Sequence, residues 1–404
     1  MTATITVPTE PDLGRMQRDR WARLHKAMDE QGVEALILLG NSNVAYATGA
    51  SWPLEDPGRA NVKRPVAVVT ADDEQPHLFT PFPGLATPGS CLAEDHVHGP
   101  VYLEFDEGAK AFGGILAELV PGERKVAVDE LPGSMRRAHE LLFPGGAPAS
   151  ADDVVGAAKL VKTPDELGFL RTALQITEQA IAPVQAALAP GVRQVDLTAV
   201  FLRAAFDLGA DGNILDPIFQ VMPARLADGP WTTHGDIACP LVTTERQLAR
   251  GDVLWVDTGI SYAGFASDFG RTWLVGTEPT PRQQAQFRSW KEILDAVLAV
   301  TRAGATGADL TRAALAACGG RTPWMPHFYL GHGLGVDSAE SPFIGTDLGD
   351  AYDERQVLAA GTVLVLEPLV WDDGAAGYRS EEVIVVTDDG WIPLTDYPYD
   401  PYGD

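Results

Sequence analysis

Cysteine is scarce in this chain. Three residues in 404, Cys91, Cys239 and Cys318, stand far apart and form no CxxC pair. That spacing argues against a disulfide framework or a thiolate zinc site and fits a reducing compartment. Basic side chains are few as well: 30 lysines and arginines face 56 acidic residues, a formal charge of -26. A surface this negative repels phosphate backbones, so no nucleic-acid partner is expected. The acidic excess reads as a solubility or salt-tolerance feature in preference to a field that steers cationic substrates. No run approaches the roughly 20 apolar residues needed to cross a bilayer. The opening stretch MTATITVPTEPDLGRM has no basic start followed by an apolar core, so neither a membrane span nor a signal peptide is expected. A cytoplasmic location is the resulting expectation.

What is present reads as a folded protein. Hydrophobic residues make up 45% of the chain, and its length favours two domains over one core. Leu13, Met16, Trp21, Leu24 and Met28 recur at near-helical spacing, which predicts an amphipathic helix over Pro11 to Gln31. Short apolar runs at Ala35 to Leu39, Val66 to Val69 and Val126 to Val128 read as buried strands between loops rich in Pro and Gly. Strands alternating with helices predict an α/β unit over residues 1–158. Thr163-Pro164-Asp165-Glu166 then reads as a helix start, with a capping threonine, proline at the first helical position and a glutamate completing a capping box. This helix runs through Leu167, Leu170, Leu174 and Ile181, and Ala182-Pro183 is expected to bend or interrupt it. A second helix is expected over Gln194 to Leu208 and a long one from Pro281 to about Ala303. Strands are expected at Val253 to Val256, Thr272 to Val275, Thr362 to Leu366 and Val383 to Val386. Residues 159–404 are therefore read as an α+β domain.

Five residues of metal-ligand type are scattered over this second half: Asp257, Asp268, His332, Glu367 and Glu381. Asp257 closes the apolar run VLWVD and is followed by Thr258-Gly259. Asp268 lies eleven residues on, and Gly259 and Gly264 suit a hairpin return that would bring the two carboxylates together. His332 stands between glycines in GHGLG, which lets backbone approach closely and leaves the imidazole unobstructed. Glu367 ends the apolar strand VLVL before Pro368. Glu381 and Glu382 are adjacent at a strand start, so their side chains point to opposite faces and only one can belong to the cluster. Four carboxylates gathered around one imidazole cannot all stay ionised without cations, and the constellation predicts a paired divalent-metal site.

In the contexts VDTG, SDFGRT, GHGLG, LEP and RSEEVIVVT, the order Asp, Asp, His, Glu, Glu resembles the pita-bread metallopeptidase superfamily, which holds methionine aminopeptidase, prolidase, aminopeptidase P and creatinase. The resemblance implies a pita-bread catalytic domain preceded by a smaller creatinase-like α/β domain. It implies that Asp257 binds one metal, Asp268 and Glu381 bridge two, and His332 and Glu367 bind the other. Glu381 is preferred to Glu382 because the family motif Arg-x-Glu-Asp places Glu382 on its Asp. Mn, Fe or Co suits this oxygen-rich set best, with Zn admissible. The resemblance also implies a homodimer acting on a dipeptide or another small molecule.

Two departures bear on the reaction. The peptidases carry a histidine upstream of the first Asp, where this chain reads IACPLVTT, and the nearest candidate is His234. They carry another after the ligand histidine, where this chain has Ala339 followed by Glu340. Asp337 is a candidate base, and His327 and Tyr329 flank the ligand loop as candidates for proton transfer. A comparable loss occurs in the dimethylsulfoniopropionate lyases, which this chain resembles also in DLGRMQRDRWARL, Trp324 and LTDYPYD. The leading expectation is a dinuclear metal-dependent hydrolase of the Xaa-Pro dipeptidase or aminopeptidase P type, cleaving a C–N bond. The alternative is a non-peptidase branch, a lyase or a creatinase-like hydrolase. A metal-free binding protein is disfavoured, because a dead site has no reason to keep four clustered carboxylates.

Overall fold

The computed structural model describes residues 7–50, 64–81, 91–228 and 245–403. Two compact units divide it: one takes Thr9–Lys159 with Thr163–Asp165, and the other is built on Leu160–Lys162 and Glu166–Asp404.

The first unit is a six-stranded mixed sheet with helices. In chain order its strands are β1 (Ala35–Leu38), β2 (Val66–Thr70), β3 (His77–Phe79), β4 (Val97–His98), β5 (Val126–Val128) and β6 (Ala149–Ser150), arranged β4-β3-β2-β1-β5-β6. β1 pairs antiparallel with β2 and parallel with β5. Its four residues are all buried, as expected for a strand covered on both faces. The helix Leu13–Gln31 begins at Asp12, whose carboxylate accepts the Arg15 N–H, and ends at Gly32 with a left-handed φ of 62°. Sequence periodicity missed the helix Asp106–Leu119, which buries Ala109, Phe112 and Leu116 in the same core as Ile37, Val68 and Phe79.

The second unit is α+β, as its sequence predicted. One antiparallel sheet joins β7 (Gly212–Val221), β8 (Val253–Tyr262) and β10 (Phe269–Leu274) in the order β10-β8-β7, with β9 (Phe265–Ala266) paired to β8. A second runs β12-β11-β13-β16-β17, from β11 (Gly331–Gly333), β12 (Glu340–Ile344), β13 (Val363–Leu366), β16 (Glu382–Val386) and β17 (Trp391–Pro393). β14 (Leu369–Trp371) and β15 (Gly377–Arg379) form a separate hairpin. Each large sheet has its own helices. Ile181, Val184 and Phe201, from helices Pro164–Ala187 and Gln194–Asp207, share a core with Leu254, Val256 and Trp273. Trp290, Leu294 and Leu310, from helices Pro281–Val300 and Gly307–Ala317, share another with Leu364, Leu366 and Ile384. The expected interruption at Pro183 does not occur: the helix continues to Ala187 with the proline inside it. Pro281 opens its helix as the sequence implied, behind a Thr280–Gln283 capping box. No helix among the described residues is long and apolar enough to cross a membrane.

Candidate metal centre

The two sheets of the second unit deliver acids to one point. β8 is ten residues long and Asp257 lies in its middle, not at its end as the sequence suggested. The chain turns at Ala263 and Gly264, both at positive φ, and returns so that Asp257 sits opposite Gly270 on β10. Asp268 immediately precedes β10. Gly259 is therefore a strand residue and not part of the turn. A Cβ there would lie 2.1 Å from the Ser267 carbonyl oxygen, so the close return of the hairpin requires glycine.

From the other sheet come His332 on β11, Glu367 one residue past β13, and Glu381 one residue before β16. Carboxylate oxygens of Asp257, Asp268 and Glu381 can be chosen that all lie within 4.8 Å of one another. His332 Nε2 stands 3.3 Å from Asp268 Oδ2 and 3.5 Å from Glu367 Oε1. Its Nδ1 is 2.8 Å from the Gly333 carbonyl, a contact only an N–H can satisfy, so in the neutral ring Nε2 carries the lone pair that faces the acids. All five residues thus converge. Glu382 points the other way, to Arg271 at 3.1 Å, the Tyr399 hydroxyl at 2.8 Å and Thr395 Oγ1 at 3.0 Å.

The sequence reading missed Arg379. Buried to 4% exposure, its guanidinium reaches Asp257 Oδ2 at 3.0 Å, Glu381 Oε1 at 2.6 Å and Glu367 Oε2. It also stacks against the Trp255 ring at 5.2 Å. A signal was available: residues 379 and 381 have the same parity in extended backbone and so share a face. The chain itself therefore supplies one of the cations that its acids demand.

One arginine is not enough. Burial, followed by the charges of Asp257 and Glu367, raises the Asp268 carboxyl well above the ordinary range. Burial and Asp268 do the same to Glu381. Glu367 is pushed up to about 7 by burial, which outweighs the opposing pull of Arg379. Burial also lowers the His332 imidazole. Among the described residues, Asp268 Oδ1 and Glu381 Oε2 are buried and have no hydrogen-bond donor. Buried acceptors without donors, facing an imidazole lone pair, are what a bound divalent cation would satisfy, and the residue set fits one.

Close packing of the backbone beneath Glu381 yields a specific expectation. A Cβ on Gly270 would sit 2.6 Å from Glu381 Cδ and 2.8 Å from its Cγ. Gly270→Ala should displace this carboxylate and cost about 1–3 kcal/mol of stability. Denaturant unfolding measures the loss, and a matching fall in Mn²⁺ affinity by calorimetry would locate it at the cluster.

The proton-handling candidates lie in varied places. His327 is at the surface with a φ of 61°, its Nδ1 2.5 Å from Asp347 Oδ2, and it does not join the cluster. Asp337 lies in the half-buried turn between β11 and β12, its carbonyl accepting the Gly335 N–H. His234 falls outside the described residues, as do Cys239 and residues 51–63. Ala339 occupies the position just before β12, and Glu340 pairs with buried Lys162. Tyr329 packs edge-on against His332, ring centroids 5.0 Å apart. Burial, then the charges of Glu367 and Asp268, hold its phenol protonated far above neutral pH.

Comparison with known proteins agrees with this architecture. Residues 168–388 match metallopeptidase family M24, and residues 20–159 match the creatinase/prolidase N-terminal domain. The chain is 24% identical over 387 residues to an Xaa-Pro dipeptidase of Pyrococcus horikoshii, covering 94% of this chain and 97% of the relative. It is 24% identical over 416 residues to the dimethylsulfoniopropionate lyase DddP of Roseobacter denitrificans, covering 97% and 88%. The crystal structure of the prolidase from Pyrococcus horikoshii superposes with a TM-score of 0.74 at 22% identity, over 95% of this chain and 99% of that one. The fold is thus a creatinase-like N-terminal domain followed by a pita-bread domain.

Proposed function

The chain belongs to metallopeptidase family M24, a family of metal-dependent hydrolases, and on that premise we propose that it hydrolyses a C–N bond in a dipeptide or amidated amino acid. The observation that carries this reading is the convergence of three carboxylates with the lone pair of His332 Nε2 at one buried point. Asp257, Asp268, His332, Glu367 and Glu381 would hold two divalent ions, and the oxygen-rich donor set suits Mn, Fe or Co. Ions bound there supply Lewis acidity at neutral pH. Arg379 orients Glu367 and Glu381 through charged hydrogen bonds. The Tyr329 hydroxyl, protonated across the working range, offers a hydrogen-bond donor beside the cluster. The resemblance to prolidases supports a cytoplasmic homodimer.

Proton linkage gives this site a signature. Without metal, the folded state keeps protons on carboxyls that the unfolded chain releases near the ordinary value. Folded pKa values above unfolded ones mean that metal-free stability is highest at low pH and falls as pH rises through the window. For Glu367 that window runs from 4.5 to about 7, worth about 3 kcal/mol for a buried group. Cation binding must expel the same protons. Calorimetric titration with Mn²⁺ near pH 6, in two buffers of different ionisation enthalpy, should therefore show net proton release; equal heats in both buffers would contradict it.

A second reading has a specific basis: Ala339 stands where the peptidases keep a histidine, and a dimethylsulfoniopropionate lyase is among the relatives. Incubating Mn²⁺-loaded protein with a panel of Xaa-Pro dipeptides and, separately, with dimethylsulfoniopropionate divides the two. Proline release is expected. Dimethyl sulfide release without hydrolysis of any dipeptide would overturn the hydrolase reading.

A further inference from the structure

Five of the eight histidines of this chain, His25, His77, His96, His98 and His139, belong to the N-terminal unit. His77 lies on β3, His98 on β4, His96 in the 3-10 turn Glu94–His96 and His25 on the helix Leu13–Gln31. Three of them form a stack. The His77 and His96 rings lie 4.4 Å apart and nearly parallel, His77 and His98 are 5.2 Å apart, and His98 stacks on Phe79 at 4.7 Å.

The polar contacts set the proton count. Asp73 Oδ2 accepts from the Thr70 hydroxyl at 2.8 Å and lies 3.2 Å from His77 Nε2. An ionised carboxylate only accepts, so His77 Nε2 carries a proton. His77 Nδ1 then faces His98 Nε2 at 2.9 Å, and one proton serves that contact. Adding a proton to His77 leaves the chain intact: His77 donates at both nitrogens, to Asp73 and to a bare His98 Nε2. Adding another to His98 sets N–H against N–H across 2.9 Å. A proton on His96 instead stacks cation on cation. Asp73 offsets one positive charge. Among the described residues, Asp95, in the same turn as His96, acts on His98, and Asp73 and Glu74 act on His25.

β4 is the two-residue edge strand of its sheet, paired in register as Leu78 with Val97 and Phe79 with His98. The Thr80 N–H to His98 carbonyl bond is 3.1 Å. So short a strand has few backbone hydrogen bonds, and its side-chain contacts decide whether it stays docked.

We propose that the His77–His96–His98 stack is an acid-operated latch: with no proton or one it fastens residues 94–98 to the sheet edge, and with two it releases them. Burial first, and then His77 and His96, lower the His98 imidazole, and burial lowers His25. Imidazoles lowered in the closed form bind protons more readily once released, so the open form gains as pH falls below about 6.5.

Hydrogen–deuterium exchange of the full chain, normalised for intrinsic rate at about pH 7.5 and about pH 5.5, reads the latch directly. Peptides spanning residues 94–98 and 77–80 should lose protection about tenfold or more at the lower pH while β1 and β5 keep theirs. His98→Gln, which removes one of the two sites for the second proton and leaves His96, should weaken that pH response. Histidine NMR titration of the unaltered protein gives a reading independent of any variant: the imidazoles should titrate in coupled steps, with His98 below its ordinary value. Equal protection at both pH values, an unchanged acid response in His98→Gln, or three independent titrations near 6.5 would each overturn the proposal.

Discussion

Asp268→Ala should purify folded, without bound metal and without activity. Asp268 is 5% exposed, faces His332 Nε2 at 3.3 Å and shares its point of convergence with Asp257 and Glu381. Losing one preorganised electrostatic group in an active site typically costs about 10²–10³ in kcat, and losing the ions that the five residues would hold should exceed that. Stability should move the opposite way from a routine core truncation. Asp268 is a buried acid raised by burial and by its carboxylate neighbours, so removing it relieves repulsion in the metal-free protein. Metal-free Asp268→Ala should therefore melt no lower than the metal-free parent at about pH 8. Mn²⁺ should raise the melting temperature of the parent and leave that of the variant unmoved. A metal-loaded, active variant would show that Asp268 is not a ligand.

Arg379→Met should be strongly destabilising when metal is absent. The guanidinium is the cation shared by Asp257, Glu367 and Glu381, and breaking a buried ion pair by removing one partner costs about 3–5 kcal/mol. Two conditions should rescue it. Acid protonates the raised carboxyls of Glu367, Glu381 and Asp268, so the penalty at about pH 5.5 should be smaller than at about pH 8. Divalent metal replaces the lost charge, so saturating Mn²⁺ should recover most of the deficit. Urea unfolding at the two pH values, with and without metal, measures both. A penalty independent of pH and metal would mean that Arg379 acts by packing on Trp255 rather than by charge.

The fold class and the gathering of five side chains were both legible in the sequence, and the placement of individual elements was less so. Asp257, Asp268, His332, Glu367 and Glu381 were legible because an acid beside an apolar strand, or a histidine between glycines, is costly without a partner. Arg379 was overlooked although it shares a face with Glu381, because its role depends on β15 lying against β10, and that is set by tertiary packing. The position of Asp257 within its strand was misjudged for a related reason: Gly259 looked like a turn residue, yet it stays in β8 because its missing Cβ admits the Ser267 carbonyl. The helix Asp106–Leu119 contains Gly108, Gly113 and Gly114, which weaken its local signal. β7 contains Pro217, which reads as a break yet is tolerated on the edge strand of its sheet. Pro183 erred in the same direction, a breaker by propensity that packing keeps inside a helix. The His77 stack left no trace in periodicity, since only the register of β3 with β4 brings its rings together.

The paired-metal site is tested most directly by the metal content of the freshly purified chain, measured by plasma mass spectrometry beside its unfolding free energy before and after chelation. Metal approaching two ions per chain is expected, with chelation lowering stability most at alkaline pH. A chain that holds no metal after incubation with Mn²⁺ or Co²⁺, and that is equally stable with and without chelator, would show that Arg379 alone balances these acids and that the site is not a metal centre.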